Sequence, residues 1–290
     1  MNKQDFFFGK NIAFYNYKEL LYFFILTKIS LVRIFYFHKM TNTSSNYISS
    51  TALCAFPNLI CAQSTCGEGN SSEIPLRMNL SFSVGDKEDN VRNNRSLFFG
   101  ELGIPLENIA TQKQIHSNNA AIIHTPCHIE NNDALITSNK NVFLCVSVAD
   151  CYPVFLFDKK ENIIAAIHSG WRGTSNGIVQ STIALMKKEF SLLTKNMVCW
   201  IGAGAGKCCY EIQSNVASQF DTKYLQQISA THFLADLQSC LKDILLNEGI
   251  PDENIETNHY CTIHQQTLFH SFRRDGDRSG RMFGVIGMKH

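Results

Sequence analysis

The pattern of apolar and polar positions changes character at about residue 51. Beyond it, short apolar runs cover 120–124, 142–149, 152–157, 162–167, 197–202, 283–288 and part of 107–115. They are rich in β-branched and aromatic side chains and bounded by polar turns, so each is expected to be a strand. The stretch 142–157 and the run 162–167 are joined by the short polar DKKEN, which fits an antiparallel hairpin. Helical periodicity appears in Glu88–Leu102, which opens at the polar GDKED and closes at Gly103. It returns in Gly177–Phe190, where Ile178, Ile183, Leu185 and Met186 form a stripe. A third helix is expected over 231–249, with Phe233, Leu234, Leu237, Leu241, Ile244 and Leu245 on one face and Gly249 as the C-cap. Strands alternating with helices predict an α/β fold: a single layered domain over 51–290, its central, mixed sheet flanked by helices.

The chain before residue 51 reads differently. Its first 39 residues hold 12 of the 32 aromatic residues, with Phe6, Phe7 and Phe8 in a row. Leu20–Phe37 is mostly apolar, but Lys28 and Arg33 interrupt it, whereas a membrane span needs about 20 largely uncharged residues. No small-residue cleavage site follows an unbroken apolar core, so a secretory signal fits poorly. Residues 41–50 (TNTSSNYISS) read as a polar, flexible leader. Residues 1–50 are therefore expected to be an extension outside the fold, with Met40 a candidate start, and the protein to be cytoplasmic without a membrane partner.

Composition narrows the classes. A hydrophobic content of 44% and a charged content of 18% fit a globular chain with a sizeable core. A net charge of +1 and the lack of a basic stripe outside the N-terminus give no case for nucleic acid. Eleven cysteines form an odd count without a single CxxC pair, which argues against a secreted disulfide framework and for a reducing compartment.

Three residues carry the chemical signal: His116 in KQIHS, Cys151 in SVADCYPVFLFD and His168 in IIAAIHSGWRGTSNG. Each stands where an expected strand gives way to a polar turn. Two imidazoles and one thiolate suit zinc and leave its fourth position open, the mark of a catalytic ion. Asp150 and Pro153 break the strand around Cys151, whereas Cys54, Cys145, Cys199 and Cys240 fit ordinary core positions. Gly170 and Gly173 around Trp171-Arg172 make a tight strand-to-helix turn where backbone N–H groups can meet an anion. Arg172 there could fork a phosphate or carboxylate. On spacing alone His124 and His128 compete with His116. The stretch IGAGAGKCCYEI departs from the phosphate-loop spacing and is expected to bring backbone close to a substrate. FHSFRRDGDRSGR is a candidate anion-handling loop.

Taken in order, NLSFSVGDKEDNVRNNR, KQIHS, DALIT, VADCYPV, AAIHSGWRGTSNGI, CCYEI and SFRRDGDRSGR resemble the laccase-domain (YfiH-like) family across roughly residues 53–290. Its members were first described as multicopper polyphenol oxidases and are better described as purine nucleoside phosphorylases with adenosine deaminase activity. The resemblance implies zinc held by His116, Cys151 and His168, which selects His116 over His124, and a phosphate-handling role for Arg95. It implies phosphorolysis of inosine, adenosine and methylthioadenosine, with a nucleoside and phosphate as the small-molecule partners. Asp133 and Asp150 are candidate acid/base groups. Two departures stand out: Cys66 in AQSTCGEG replaces an arginine, and GAGAGK replaces GPCIG. The rival readings are a cysteine hydrolase using Cys151 and His168, a copper-dependent phenol oxidase, and a binding protein with a vestigial metal site. A laccase needs several coppers and paired HxH histidines, and the chain has no HxH.

Overall fold

The computed structural model describes residues 46–67, 69 and 76–290. The expectations for Met40 and for the apolar stretch before it lie outside the described residues. The first six-stranded sheet runs β1 (Tyr47–Ser49), β2 (Leu59–Ser64), β15 (Met282–Met288), β7 (Phe143–Val148), β3 (Ile109–Gln112) and β5 (His128–Ile129). Its β1–β7 half is antiparallel, and β3 joins β7 and β5 in parallel. The second runs β14 (Ile255–Glu256), β10 (Met197–Ile201), β8 (Tyr152–Asp158), β9 (Ile163–Ser169), β6 (Ala134–Thr137) and β4 (Ala120–Ile122). A small antiparallel sheet joins β11 (Glu211–Gln213), β13 (His232–Ala235) and β12 (Leu225–Gln227).

The mixed sheet expected from the sequence is thus present twice, and the two large sheets pack face to face. Because side chains alternate along a strand, Phe155 and Phe157 of β8 and Ile164 and Ala166 of β9 meet Leu144, Val146 and Ile286 of the first sheet. Trp200 stacks on Phe155 at 5.5 Å within this layer. The alternate residues Val154, Leu156, Ala165 and Ile167 pack instead beneath α3 (Ile178–Phe190) and α5 (Leu237–Asn247). On the far side, Phe98 and Phe99 of α1 (Glu88–Glu101) cover Phe143, Cys145, Phe283 and Val285. The order of layers is helix, sheet, sheet, helix. Among the described residues no helix is long and apolar enough to cross a membrane.

Three expectations need correction. β7 and β8 are arms of different sheets, and the chain crosses between them at Ala149–Cys151; the hairpin is β8–β9 alone. The expected helix over 231–249 starts only at Leu237, because Asp236 caps it by accepting the Ser239 N–H at 3.0 Å. The preceding Phe233 and Leu234 pair with strands on both sides, and this tertiary pairing overrides their helical spacing. Residues 47–49 are an edge strand rather than a flexible leader, with Tyr47 packed against Phe98. Glu256 anchors the turn after β1, accepting the Ser50 hydroxyl at 2.6 Å and the Ala52 N–H at 2.7 Å.

Candidate metal centre

The three candidate ligands gather at one end of the space between the large sheets. His168, 3% exposed, is the penultimate residue of β9 and lies opposite Pro153 of β8. Cys151 stands at the crossing from β7 to β8, following Asp150 in a left-handed conformation (φ +89°). His116 follows β3 and is itself left-handed (φ +58°), a state that a non-glycine residue holds only when its surroundings demand it. The ligand atoms of the three lie within 4.8 Å of one another, and the two imidazole rings are 4.8 Å apart at 61°.

What demands that geometry is Asp133, a fully buried carboxylate just before β6. Its oxygens accept the N–H groups of Ile115 (3.3 Å), His116 (3.1 Å) and Ser117 (2.6 Å), and the Ser117 hydroxyl at 2.7 Å. The same carboxylate meets His168 Nδ1 at 2.8 Å, so it shapes the His116 turn and orients the second imidazole at once. Burial works against its charge, but these hydrogen bonds win and hold its pKa at about 2. Asp133 is thus an anion placed to orient both the His116 turn and the His168 imidazole. Asp150 is also engaged: it accepts the Thr262 hydroxyl at 2.7 Å and the Arg273 N–H at 2.6 Å.

The donors fit a cation. Burial opposes ionisation of Cys151, yet His168 and His116 pull its thiol down to about 6. Burial likewise disfavours a charged His168, and Cys151 and Asp133 raise it to about 9. The metal-free trio is a thiolate beside an imidazolium whose outer nitrogen is already taken by a carboxylate, the usual support of a metal-bound histidine. Gly170 completes the cradle: a Cβ there would lie 2.6 Å from Cys151 Sγ and 3.2 Å from His116 Nδ1. The residue read as a turn glycine is thus needed for close approach to the ligands.

The trio lines a cleft of about 940 Å³ that also takes in Arg95, Arg281, Gln112, Phe82 and Phe272. Arg95 Nε donates to the Leu80 carbonyl at 2.8 Å, and its guanidinium lies over Phe82 (4.3 Å) and Phe283 (4.9 Å). Its two terminal nitrogens take no hydrogen bond among the described residues. Arg172 does not line this cleft; it is exposed and stacked on Trp171 at 4.3 Å. His124 is exposed elsewhere, and His128 reaches only the rim, bonded to Thr111 at 2.8 Å. The GAGAGK segment does not line the cleft either: Gly204 sits against the Tyr152 ring, and Gln63 clasps both backbone groups of Ala203.

Sequence reading had missed Gln112, whose buried amide has neither its nitrogen nor its oxygen paired. A polar residue on the inward face of β3 is the only signal it offers. Arg281 was visible only as part of an arginine-rich loop.

The model of the multi-copper polyphenol oxidoreductase laccase family matches residues 60–289. A purine nucleoside phosphorylase of Clostridium acetobutylicum is 34% identical over 220 residues, covering 75% of this chain and 89% of that protein. One of Bacteroides thetaiotaomicron is 31% identical, covering 77% and 88%. The crystal structure of the Bacillus licheniformis hypothetical protein YfiH superposes with a TM-score of 0.81 at 25% identity, over 85% of this chain and 98% of that one. By sequence and by fold, the chain belongs to the multi-copper polyphenol oxidoreductase laccase family.

Proposed function

We propose that this protein is a zinc-dependent purine nucleoside phosphorylase that cleaves inosine, adenosine and methylthioadenosine with phosphate, and that the same cleft deaminates adenosine. The observation that carries the reading is the meeting of a thiolate–imidazole donor set and a free guanidinium edge in one cleft. The phosphorylase names of the relatives support the reaction class.

Each residue has a task in that reaction. Arg95, partly desolvated between two phenyl rings, offers a fork that matches two phosphate oxygens. Phe82 and Phe272, 46% and 47% exposed, line the cleft and offer flat faces to a purine. Breaking the glycosidic bond builds positive charge on the ribose, so a phosphate anion fixed beside it stabilises the transition state. His116, Cys151 and His168 would hold the zinc, which supplies positive charge to position and polarise an oxygen nucleophile. Copper is the second candidate ion for a Cys/His/His set.

The test is inosine turnover by the full chain, with and without phosphate, alongside bound metal. Phosphate-dependent hypoxanthine release that ends on metal removal is expected; phosphate-independent release would overturn the proposal. One observation favours a second reading: Cys151, His168 and Asp133 stand in the order of a nucleophile, its base and an orienting carboxylate. A cysteine hydrolase built on them would keep its activity after chelation.

A further inference from the structure

The vicinal cysteines of CCYEI have no part in the cleft, yet the fold brings them to a third. Cys208 and Cys209 sit on a turn closed by the N–H groups of Cys209 and Tyr210, both donating to the Gly206 carbonyl at 3.0 Å. Cys261 arrives alongside through a parallel bridge to Gly204, with the Thr262 N–H on the Gly204 carbonyl at 2.9 Å. The three sulfurs lie within 4.8 Å of one another. We propose that Cys208, Cys209 and Cys261 form a second metal site, a thiolate trio for a soft d10 cation of the copper(I) or zinc(II) type.

The surroundings prepare the trio for a cation. Gly206 donates its N–H to Cys261 Sγ at 3.3 Å, and the backbone N–H groups of His264 and Ile263 also face that sulfur. Hydrogen bonds of this kind stabilise a thiolate. Arg274 brings a guanidinium to the same loop, its Nη1 donating to the carbonyls of Thr262 (2.9 Å) and Ile263 (3.2 Å). Gly206 leaves the space open, since a Cβ there would lie 3.0 Å from Cys261 Cβ and 3.7 Å from Cys208 Sγ. Cys208 is exposed and Cys209 half-buried, so an ion can enter from solvent and keep an open coordination position.

Three sulfurs and no oxygen ligand favour soft ions over magnesium, calcium or manganese. Binding would release the remaining thiol protons to solvent. The site also touches the first one: Thr262, next to Cys261, donates its hydroxyl to Asp150, next to Cys151.

The experiment uses the full chain, stripped of metal under anaerobic conditions and titrated with cobalt(II) as a stand-in for zinc and with copper(I). Sulfur-to-cobalt charge-transfer absorption grows with the number of thiolate ligands and so separates the two sites. Wild type is expected to bind two ions, and Cys151→Ala to keep one with the stronger, three-thiolate band. Cys261→Ser should lose that band, and Cys208→Ser, a change on an exposed turn that leaves the fold alone, should weaken the second ion by more than the about 10–100-fold of an outer-shell change. The band surviving in Cys151→Ala keeps this result independent of whether the first site works as proposed. Competition between copper(I) and zinc identifies which ion the trio prefers. A Cys151→Ala chain that binds no ion, or a three-thiolate band unchanged in Cys208→Ser and Cys261→Ser, would overturn the proposal. So would a thiol count two short under anaerobic conditions and restored in Cys208→Ser, which would make the pair a disulfide.

Discussion

Replacing Gly170 by alanine adds one methyl group at the tightest point of the metal centre. The added carbon would stand 2.6 Å from Cys151 Sγ, about 1 Å inside the ~3.5–4.0 Å of an ordinary contact, and 3.2 Å from His116 Nδ1. The backbone raises no objection, since φ −85° and ψ 178° are extended values open to any residue. Gly170 is also the N-cap of α2 (Trp171–Ser175), where alanine in place of glycine costs up to about 1 kcal/mol. Nearly all of the strain therefore falls on the ligands, as overpacking of about 1–3 kcal/mol that is relieved by moving the thiolate away. A misplacement of about 1 Å in a catalytic group costs on the order of 100-fold. Metal affinity and inosine turnover are expected to drop by about that factor while thermal denaturation of the metal-free chain shifts little. A Gly170→Ala variant that binds metal and turns over like wild type would refute the argument, and so would one that simply unfolds.

Asp133→Asn removes the carboxylate that four donors and His168 share, leaving at least one buried donor facing an amide NH2 at a cost of about 1–3 kcal/mol. Metal affinity should fall about 10–100-fold. Because the folded-state constant of Asp133 is held at about 2, below its ordinary 3.8, the stability it contributes is present above pH 3.8 and fades as the pH falls through 2. The gap in denaturation midpoint between wild type and Asp133→Asn should narrow over that window; a gap that widens in acid would contradict the assignment. Alkylation of Cys151 in the metal-free chain, read by peptide mass, should have its midpoint near pH 6 and be blocked by bound metal, whereas a midpoint near the ordinary 9 would show no thiolate–imidazolium pair. Arg95→Ala should raise the KM for phosphate by roughly 10-fold or more, the loss of a charge-assisted contact of about 1.5–3 kcal/mol, and touch adenosine deamination less. Equal losses in both assays would remove Arg95 from phosphate handling.

Much of this architecture is legible in the sequence. β7, β8, β9 and β15 are buried on both faces, and such strands read as unbroken apolar runs whatever lies above and below them. For the same reason the runs could not tell one sheet from two, and the crossing at Ala149–Cys151 looked like the middle of a single arm. Helices α1 and α3 appeared where their stripes predicted, because each presents one apolar face to a sheet. Phe233 and Leu234 misled, since a strand just before a helix can fall in phase with the helical repeat. The three residues that the fold gathers, His116, Cys151 and His168, are visible through their motifs. The roles of Asp133 and Gly170 are not, because one acts through hydrogen bonds across sheets and the other through the absence of an atom. Arg172 sat in a persuasive local setting, but the side chain stacks on its own neighbour rather than reaching the cleft.

The position of Asp133 has a wider consequence. It rises from the second sheet, yet three of the N–H groups it receives belong to the turn that follows β3 of the first. One carboxylate thus acts as a clasp across the sandwich, and the spacing of the donors is set by the thickness of the core rather than by the play of any loop. Sliding one sheet against the other would spread the Cys151 sulfur and the imidazole nitrogens of His116 and His168 apart. Phe82, on the turn before α1, takes no part in that tie. The mouth of the cleft can therefore be recut at Phe82 for a different guest while the end that gathers His116, Cys151 and His168 keeps its gauge.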